Sequence, residues 1–244
     1  MNLPDYLVVG ECKCGTSSMY DYLTKHPQIL ETYGNGIDSY LGTKELRFFD
    51  RYYDKGIDWY KSKFPETTDK QITGEGASIY FGRMLSLDRI KRDLPNAKII
   101  VLLRNPIDRL YSHFCHMKKY IPNWKDKYDS FEDFLNSARE EDNYLIEKGI
   151  YALPLFKWLD AFEDRVMVIK SETLFETPQD VCDYLFDWLG VDPFKLKSFE
   201  KLNSTSSLTI KPQTRKMLKA FYSSYNEELY DLLGYRMQWE NQDD

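Results

Sequence analysis

The chain has 244 residues, 30% of them charged, and a net charge of −6. That length is enough for one α/β domain with a sizeable core, so a single domain over 1–244 is expected. The acid excess excludes a general nucleic-acid or membrane-surface binder while leaving room for a local basic pocket.

No run approaches the roughly 18 apolar residues of a membrane span. Cys12, Cys14, Cys115 and Cys182 include no C-x-x-C pair and read as reduced thiols rather than a disulfide framework or a zinc site. Met1 to Asp5 lead almost directly into the first strand and leave no room for a signal peptide, so a cytoplasmic location is expected.

The first element is the apolar run Leu7-Val8-Val9, which ends at Gly10; Gly15 follows with Lys13 between the two glycines, and Thr16, Ser17 and Ser18 open a helix to about Lys25. A strand, a tight loop and a helix N-terminus bring backbone N–H groups together, and the positive end of the helix dipole faces any anion they hold. A triphosphate-binding loop has the form G-x-x-x-x-G-K-[ST]. Here Thr16 stands in the lysine's place and Lys13 is displaced into the loop. The stretch reads as a phosphate cradle for a donor other than a triphosphate, with a plain glycine turn as the alternative.

Residues 29–43, with glycines at 34, 36 and 42, read as a loop, and Lys44 to Asp50 as a short helix or bend. Trp59, Tyr60 and Phe64 mark a helix that Pro65 ends. Ile72 to Glu75 is a short strand running into a Gly-Ala-Ser turn, and Met84 to Leu94 is a helix closed by Pro95. Lys98 to Leu103 is the strongest strand, a β-branched and leucine run of the kind buried on both faces of a parallel sheet.

After Arg104-Asn105-Pro106 a helix runs from about Ile107 to Met117 or Lys118, with Asp108 suiting the dipole in its first turn. Tyr120 to Asp129 reads as a polar, aromatic loop; helices follow at about 131–140 and 151–162, then a buried strand at 166–169 and a helix at 179–189 stopped by Gly190. Residues 195–212 read as a basic, hydroxyl-rich loop, and a helix at about 213–233 closes the chain. Strands alternating with helices predict a three-layer α/β sandwich on a mostly parallel central sheet, with the ligand at the carboxyl ends of the strands.

Arg104 leaves the strand at 98–103 directly, and Ser112 lies about two turns into the next helix. An arginine and a hydroxyl beside a glycine loop suit a ligand with two separated phosphate groups; a helix-capping or ion-paired arginine is the alternative. Three motifs now stand in order. They are Val9-Gly10-x-x-Lys13-x-Gly15-Thr16-Ser17-Ser18, Lys44-Glu45-x-x-Phe48-Phe49-Asp50, and Leu103-Arg104-Asn105-Pro106-x-Asp108-Arg109-x-Tyr111-Ser112.

Together they resemble the sulfotransferases that use 3′-phosphoadenosine-5′-phosphosulfate (PAPS), closest to the heparan sulfate N- and 3-O-sulfotransferase branch. The resemblance extends to Trp59-Tyr60, Gly74-Glu75, Gly149-x-Tyr151, Trp158-Leu159 and the closing helix to Trp239.

The resemblance implies PAPS as donor, 3′-phosphoadenosine 5′-phosphate (PAP) as product, and no metal. It places Lys13, Cys14, Gly15, Thr16, Ser17 and Ser18 on the 5′-phosphosulfate, Arg104 and Ser112 on the 3′-phosphate, and Lys211 in a lid. Glu45 falls at the catalytic base, with Lys44 beside it to orient the sulfuryl group and Lys13 to neutralise the leaving oxygen. A surface carboxylate paired to Lys44 or Arg47 is the other reading of Glu45, and His116 is the reserve base. Glu11 departs from the family pattern, because a carboxylate beside a phosphosulfate is unfavourable unless it points away or pairs with a cation.

Sulfuryl transfer to a small-molecule or carbohydrate acceptor is the expectation, a small metabolite being favoured for want of a basic cleft, with no nucleic-acid or membrane partner. A nucleotide kinase and a non-catalytic nucleotide-binding module are the alternatives. The candidate acceptor-facing segments are 29–43, Trp59-Tyr60, Gly76 to Phe81 and 117–129.

Overall fold

A computed structural model of the chain describes residues 3–33, 45–137, 142–203 and 209–241. It divides into two compact units, one of Met1–Leu103 with Lys157–Leu202, the other of Arg104–Phe156 with Asn203–Asp244.

The first unit holds the sheet. Strands β1 (Tyr6–Gly10), β2 (Ile29–Leu30), β3 (Ile72–Gly76), β4 (Lys98–Leu103) and β5 (Val166–Lys170) lie in the order β2-β3-β1-β4-β5, and every pairing is parallel. The most apolar strands stand at the centre: β1 pairs with β4 from Tyr6↔Lys98 to Gly10↔Leu102. Tyr6, Val8, Ile100 and Leu102 pack on one face under helices α1 (Thr16–Thr24), α9 (Ser171–Glu176) and α10 (Pro178–Leu189). The alternate positions Leu7, Val9, Ile99, Val101 and Leu103 are buried as well. A sheet covered on both faces, flanked by helices, is the expected α/β sandwich.

Gly74 and Gly76 set how closely β3 approaches its neighbours. A Cβ at Gly74 would lie 2.4 Å from the Tyr6 ring, and one at Gly76 would lie 3.1 Å from Tyr20. Side chains alternate across a strand, so Glu75 between them is directed to the other face. Helices α2 (Ile57–Lys61) and α3 (Met84–Asp93) also belong to this unit.

The second unit is helical, built on α4 (Pro106–Tyr120) and α11 (Pro212–Leu233) with the short helices α5 (Trp124–Lys127), α6 (Phe131–Ser137) and α7 (Tyr144–Glu147). Phe114, Trp124, Phe131, Phe134, Leu145, Leu218 and Tyr222 form its core. Helix α8 (Ala152–Phe162) begins in this unit and ends in the first.

Most boundaries match the sequence reading to within a residue or two. Helices α5, α7 and α9 and strand β2 were not expected: a helix of four to six residues completes little more than one turn, and a two-residue strand shows no alternation. The span 120–129 is therefore only partly a loop, since α5 occupies its middle. Residues 34–44, the end of the helix expected at 131–140, and 204–208 lie outside the described residues.

Candidate active site

The loop after β1 is shaped by left-handed or otherwise positive backbone angles. Gly10 has φ +121, and a Cβ there would lie 2.5 Å from the Leu102 backbone nitrogen and oxygen, so only glycine lets β1 leave the sheet this close to β4. The turn continues with Glu11 N–H donating to the Leu102 carbonyl at 3.3 Å and Cys14 N–H to the Glu11 carbonyl at 3.1 Å. Lys13 has φ 72, a left-handed conformation that costs a side-chain-bearing residue about 1–2 kcal/mol.

Gly15, at φ 93 and ψ 12, caps α1 without a side-chain hydrogen bond, and the first turn of α1 carries no acidic residue. A helix start with no side-chain cap and no charge of its own, preceded by a turn of left-handed residues, fits an anionic group. The phosphosulfate of the donor that the resemblance implies would suit such a helix start.

Within this loop Cys14, Thr16 and Ser18 are buried, while Lys13, Gly15 and Ser17 are half-buried. The Ser18 hydroxyl accepts the Leu202 N–H at 2.9 Å and so ties the loop to residue 202. Glu11 is buried at 2% exposure. One of its oxygens accepts the N–H of Cys12 at 2.7 Å, so part of its charge is met by the loop's own backbone.

Glu45 lies beside this loop. It is 6% exposed, which removes the surface-carboxylate reading. Its Oε1 accepts the Ser78 backbone N–H at 3.4 Å and the Ser78 hydroxyl at 3.0 Å. Ser78 Oγ is in turn 3.4 Å from Cys12 Sγ. A continuous polar string therefore runs from the glycine loop to the carboxylate, across a sequence separation that no local pattern displays. Lys44 lies outside the described residues, and Arg47 pairs with Asp50 while also feeling the Glu45 charge.

Behind Glu45 sits a second carboxylate that sequence reasoning did not single out as a site residue. Glu75 is fully buried. It accepts the Leu46 N–H at 2.9 Å, the Tyr60 hydroxyl at 2.7 Å and the Tyr80 hydroxyl at 3.0 Å. Burial pushes its carboxyl up to about 7; the three donors oppose the rise and the neighbouring Glu45 charge adds to it. The available signal was a carboxylate between two glycines inside a strand.

Tyr60 is consequently not acceptor-facing, and Gly76, Ala77, Ser78, Tyr80 and Phe81 are buried too. Trp59 stays half-buried beside Phe48, with ring centroids 6.1 Å apart, and carries Lys55 and Lys63 ammonium groups 4.7 and 4.9 Å from its centroid.

The second unit holds the remaining expected residues. Arg104 is half-buried, and its carbonyl accepts the Tyr151 hydroxyl at 2.9 Å. Asn105 caps α4 through Ile107 N–H at 3.0 Å, with Pro106 in the first turn. Ser112 is buried on α4.

Arg109 is fully buried and bonds the Leu145 carbonyl and, at 3.2 Å, His113 Nδ1, which gives it a structural task within this unit. Lys211 precedes α11, exposed, 3.6 Å from Glu132. His116 packs on Tyr120 with centroids 4.7 Å apart.

Comparison with known proteins places the chain among sulfotransferases. The family model described as "Sulfotransferase domain" matches residues 3–232. Human bifunctional heparan sulfate N-deacetylase/N-sulfotransferase 1 is 29% identical over 96% of this chain and 30% of its own length. Human heparan sulfate glucosamine 3-O-sulfotransferase 3B1 is 27% identical over 98% of this chain and 65% of its own. The chain thus spans about a third of the first relative's length. Among solved structures, a sulfotransferase from Alicyclobacillus acidocaldarius superposes with a TM-score of 0.77 at 25% identity, covering 98% of this chain and 100% of the other.

Proposed function

Because the chain belongs to the sulfotransferase-domain family, we propose that it moves a sulfuryl group from PAPS to a hydroxyl or amine of a carbohydrate acceptor, with Glu45 as general base. The observation that carries this reading is the string Glu45–Ser78–Cys12, which sets a buried carboxylate beside an anion-ready glycine loop. Thr16 after Gly15 leaves the kinase alternative without its lysine. We treat 1–244 as one functional domain, since the family match runs through both compact units.

The donor supplies an activated sulfuryl group on a phosphate leaving group. Lys13 and the N–H groups at Cys14 to Ser18 hold the 5′-phosphosulfate, and the Lys13 ammonium offsets the charge that builds on the departing phosphate. Glu45 takes the acceptor's proton, with Ser78 holding its Oε1 in place. Lys44 orients the sulfuryl group, Arg104 and Ser112 take the 3′-phosphate, and Lys211 serves the lid.

The acceptor class follows the relatives' names, heparan sulfate N- and glucosamine 3-O-sulfotransferases. The half-buried Trp59 flanked by Lys55 and Lys63 supports it, since a sugar ring with anionic substituents stacks on an aromatic face among cations. Four cysteines without a disulfide support a reducing, cytoplasmic setting. Among the described residues no helix is long and apolar enough to cross a membrane.

The test is PAP release from PAPS with a desulfated heparan oligosaccharide and, separately, with 4-nitrophenol. Glu45→Ala should lower kcat about 10²- to 10⁴-fold while PAP still raises the melting temperature. Unchanged turnover removes Glu45 from its role. Turnover with the phenol alone replaces the carbohydrate by a small aromatic acceptor.

A further inference from the structure

We propose that Glu75 is a positioning residue for the sulfuryl-transfer reaction: it ties the turn that carries Glu45 to strand β3 and so fixes the base against the glycine loop. The inference rests on Glu45 being the base. It assigns a task to a buried strand carboxylate to which the proposed function gives none.

Glu75 Oε1 accepts the N–H of Leu46, the residue next to Glu45, at 2.9 Å, and the Tyr80 hydroxyl at 3.0 Å. Tyr80 Oη also accepts the Phe49 N–H at 3.4 Å. The Phe49 carbonyl is held by Arg89 at 2.8 Å and Ser86 at 3.3 Å. The turn is therefore gripped at both ends, at Leu46 directly and at Phe49 through Tyr80. Tyr60 closes the remaining oxygen of Glu75 at 2.7 Å, and its ring stacks on Phe48 with centroids 4.6 Å apart.

Glu45 receives its own side-chain bonds from Ser78, three residues beyond Glu75 in the same exit from β3. Backbone and carboxylate of the base are thus both referenced to one rigid segment, and that segment is paired with β1 at Leu7↔Glu75, three residues before Gly10. Sites held from regular elements keep their geometry more closely than sites held from loops.

Burial supports a functional reading of this group. A carboxylate at 0% exposure is expensive even with three donors, and an apolar residue would fill the same aromatic pocket without that cost. What the apolar residue could not do is hold the Leu46 N–H and the Tyr80 hydroxyl.

The experiment compares Glu75→Leu, Glu75→Gln, Glu45→Gln and the Glu45→Gln/Glu75→Leu double variant, using PAPS with the desulfated heparan oligosaccharide and PAP-induced thermal shifts. Glu75→Leu should lose about 10- to 100-fold in kcat, with KM for PAPS and the PAP shift within about twofold of the parent. Glu75→Gln keeps an oxygen for Leu46 and Tyr80 and should recover to within about fivefold.

On the Glu45→Gln background Glu75→Leu should cost nothing further, because a residue that acts only through the base is silent once the base is gone. An equal loss on both backgrounds, or a fall in PAP binding that parallels the fall in kcat, overturns the proposal. If Glu75→Leu does not fold, Tyr80→Phe, which removes the Phe49 and Glu75 bonds together, is read against the same two criteria. Wild-type turnover in Glu45→Gln instead overturns the base assignment, and that result is distinguishable because it involves no change at Glu75.

Discussion

The Ser78 hydroxyl lies 3.0 Å from Glu45 Oε1 and 3.4 Å from Cys12 Sγ, so one side chain bridges the candidate base and the glycine loop. Deleting it removes a charge-assisted hydrogen bond of about 1.5–3 kcal/mol. Ser78→Ala should therefore lower kcat by roughly 10-fold or more while the PAP-induced thermal shift stays at the parent value. Steady-state PAP release over a PAPS series checks this, and a change confined to KM would contradict it.

Lys13 holds a left-handed conformation that glycine adopts without strain. Lys13→Gly should separate stability from function: melting of the ligand-free protein is expected at or above the parent, by up to about 1 kcal/mol, while kcat/KM for PAPS falls about 100-fold or more. Denaturant unfolding and turnover on the same preparation provide both readings. Parent-level turnover would remove the cation from the reaction.

Gly10 and Gly74 are steric requirements of the sheet. Gly74→Ala places a Cβ 2.4 Å from the Tyr6 ring, an overpacking that should cost about 1–3 kcal/mol or more. Adding Tyr6→Ala should make the double variant more stable than the sum of the single changes, because the clash is shared. Gly10→Ala meets backbone rather than a ring and has no such rescue. It should lose both stability and PAP binding, measured by urea unfolding with and without PAP.

Glu75 gives a pH signature with a defined sign. Burial holds its folded carboxyl at about 7, above the ordinary value of 4.5. The folded state therefore keeps its proton more tightly, and this group's contribution to stability declines as pH rises from about 4.5 to about 7, then levels. Glu75→Gln lacks that decline. Its stability relative to the parent should rise across the same window by up to about 3 kcal/mol, measured as the difference between two denaturation series so that other carboxylates cancel.

The fold was legible because its strands and long helices have periods that a sequence displays. Lys98 to Leu103 forms β4 with the expected ends, and Gly190 stops α10 in the left-handed region. The glycine loop was legible for the same local reason, since Gly10, Lys13 and Gly15 lie within six residues. Tyr60 was misjudged as acceptor-facing, because an aromatic residue reads alike whether its ring lines a groove or its hydroxyl serves a buried carboxylate.

What the sequence by itself determined is the form of the loop at 10–18: two glycines five apart with the lysine ahead of the second, after the first strand of a parallel sheet. Tertiary structure decided where the candidate base stands. Glu45, Glu75, Ser78 and Cys12 are separated by up to 66 residues and meet because β3 lies beside β1 and carries Glu75 and Ser78 past the loop. Hydrogen bonds of that separation depend on strand pairing and on glycines that let the strands approach, and neither is written in the spacing of the residues they join.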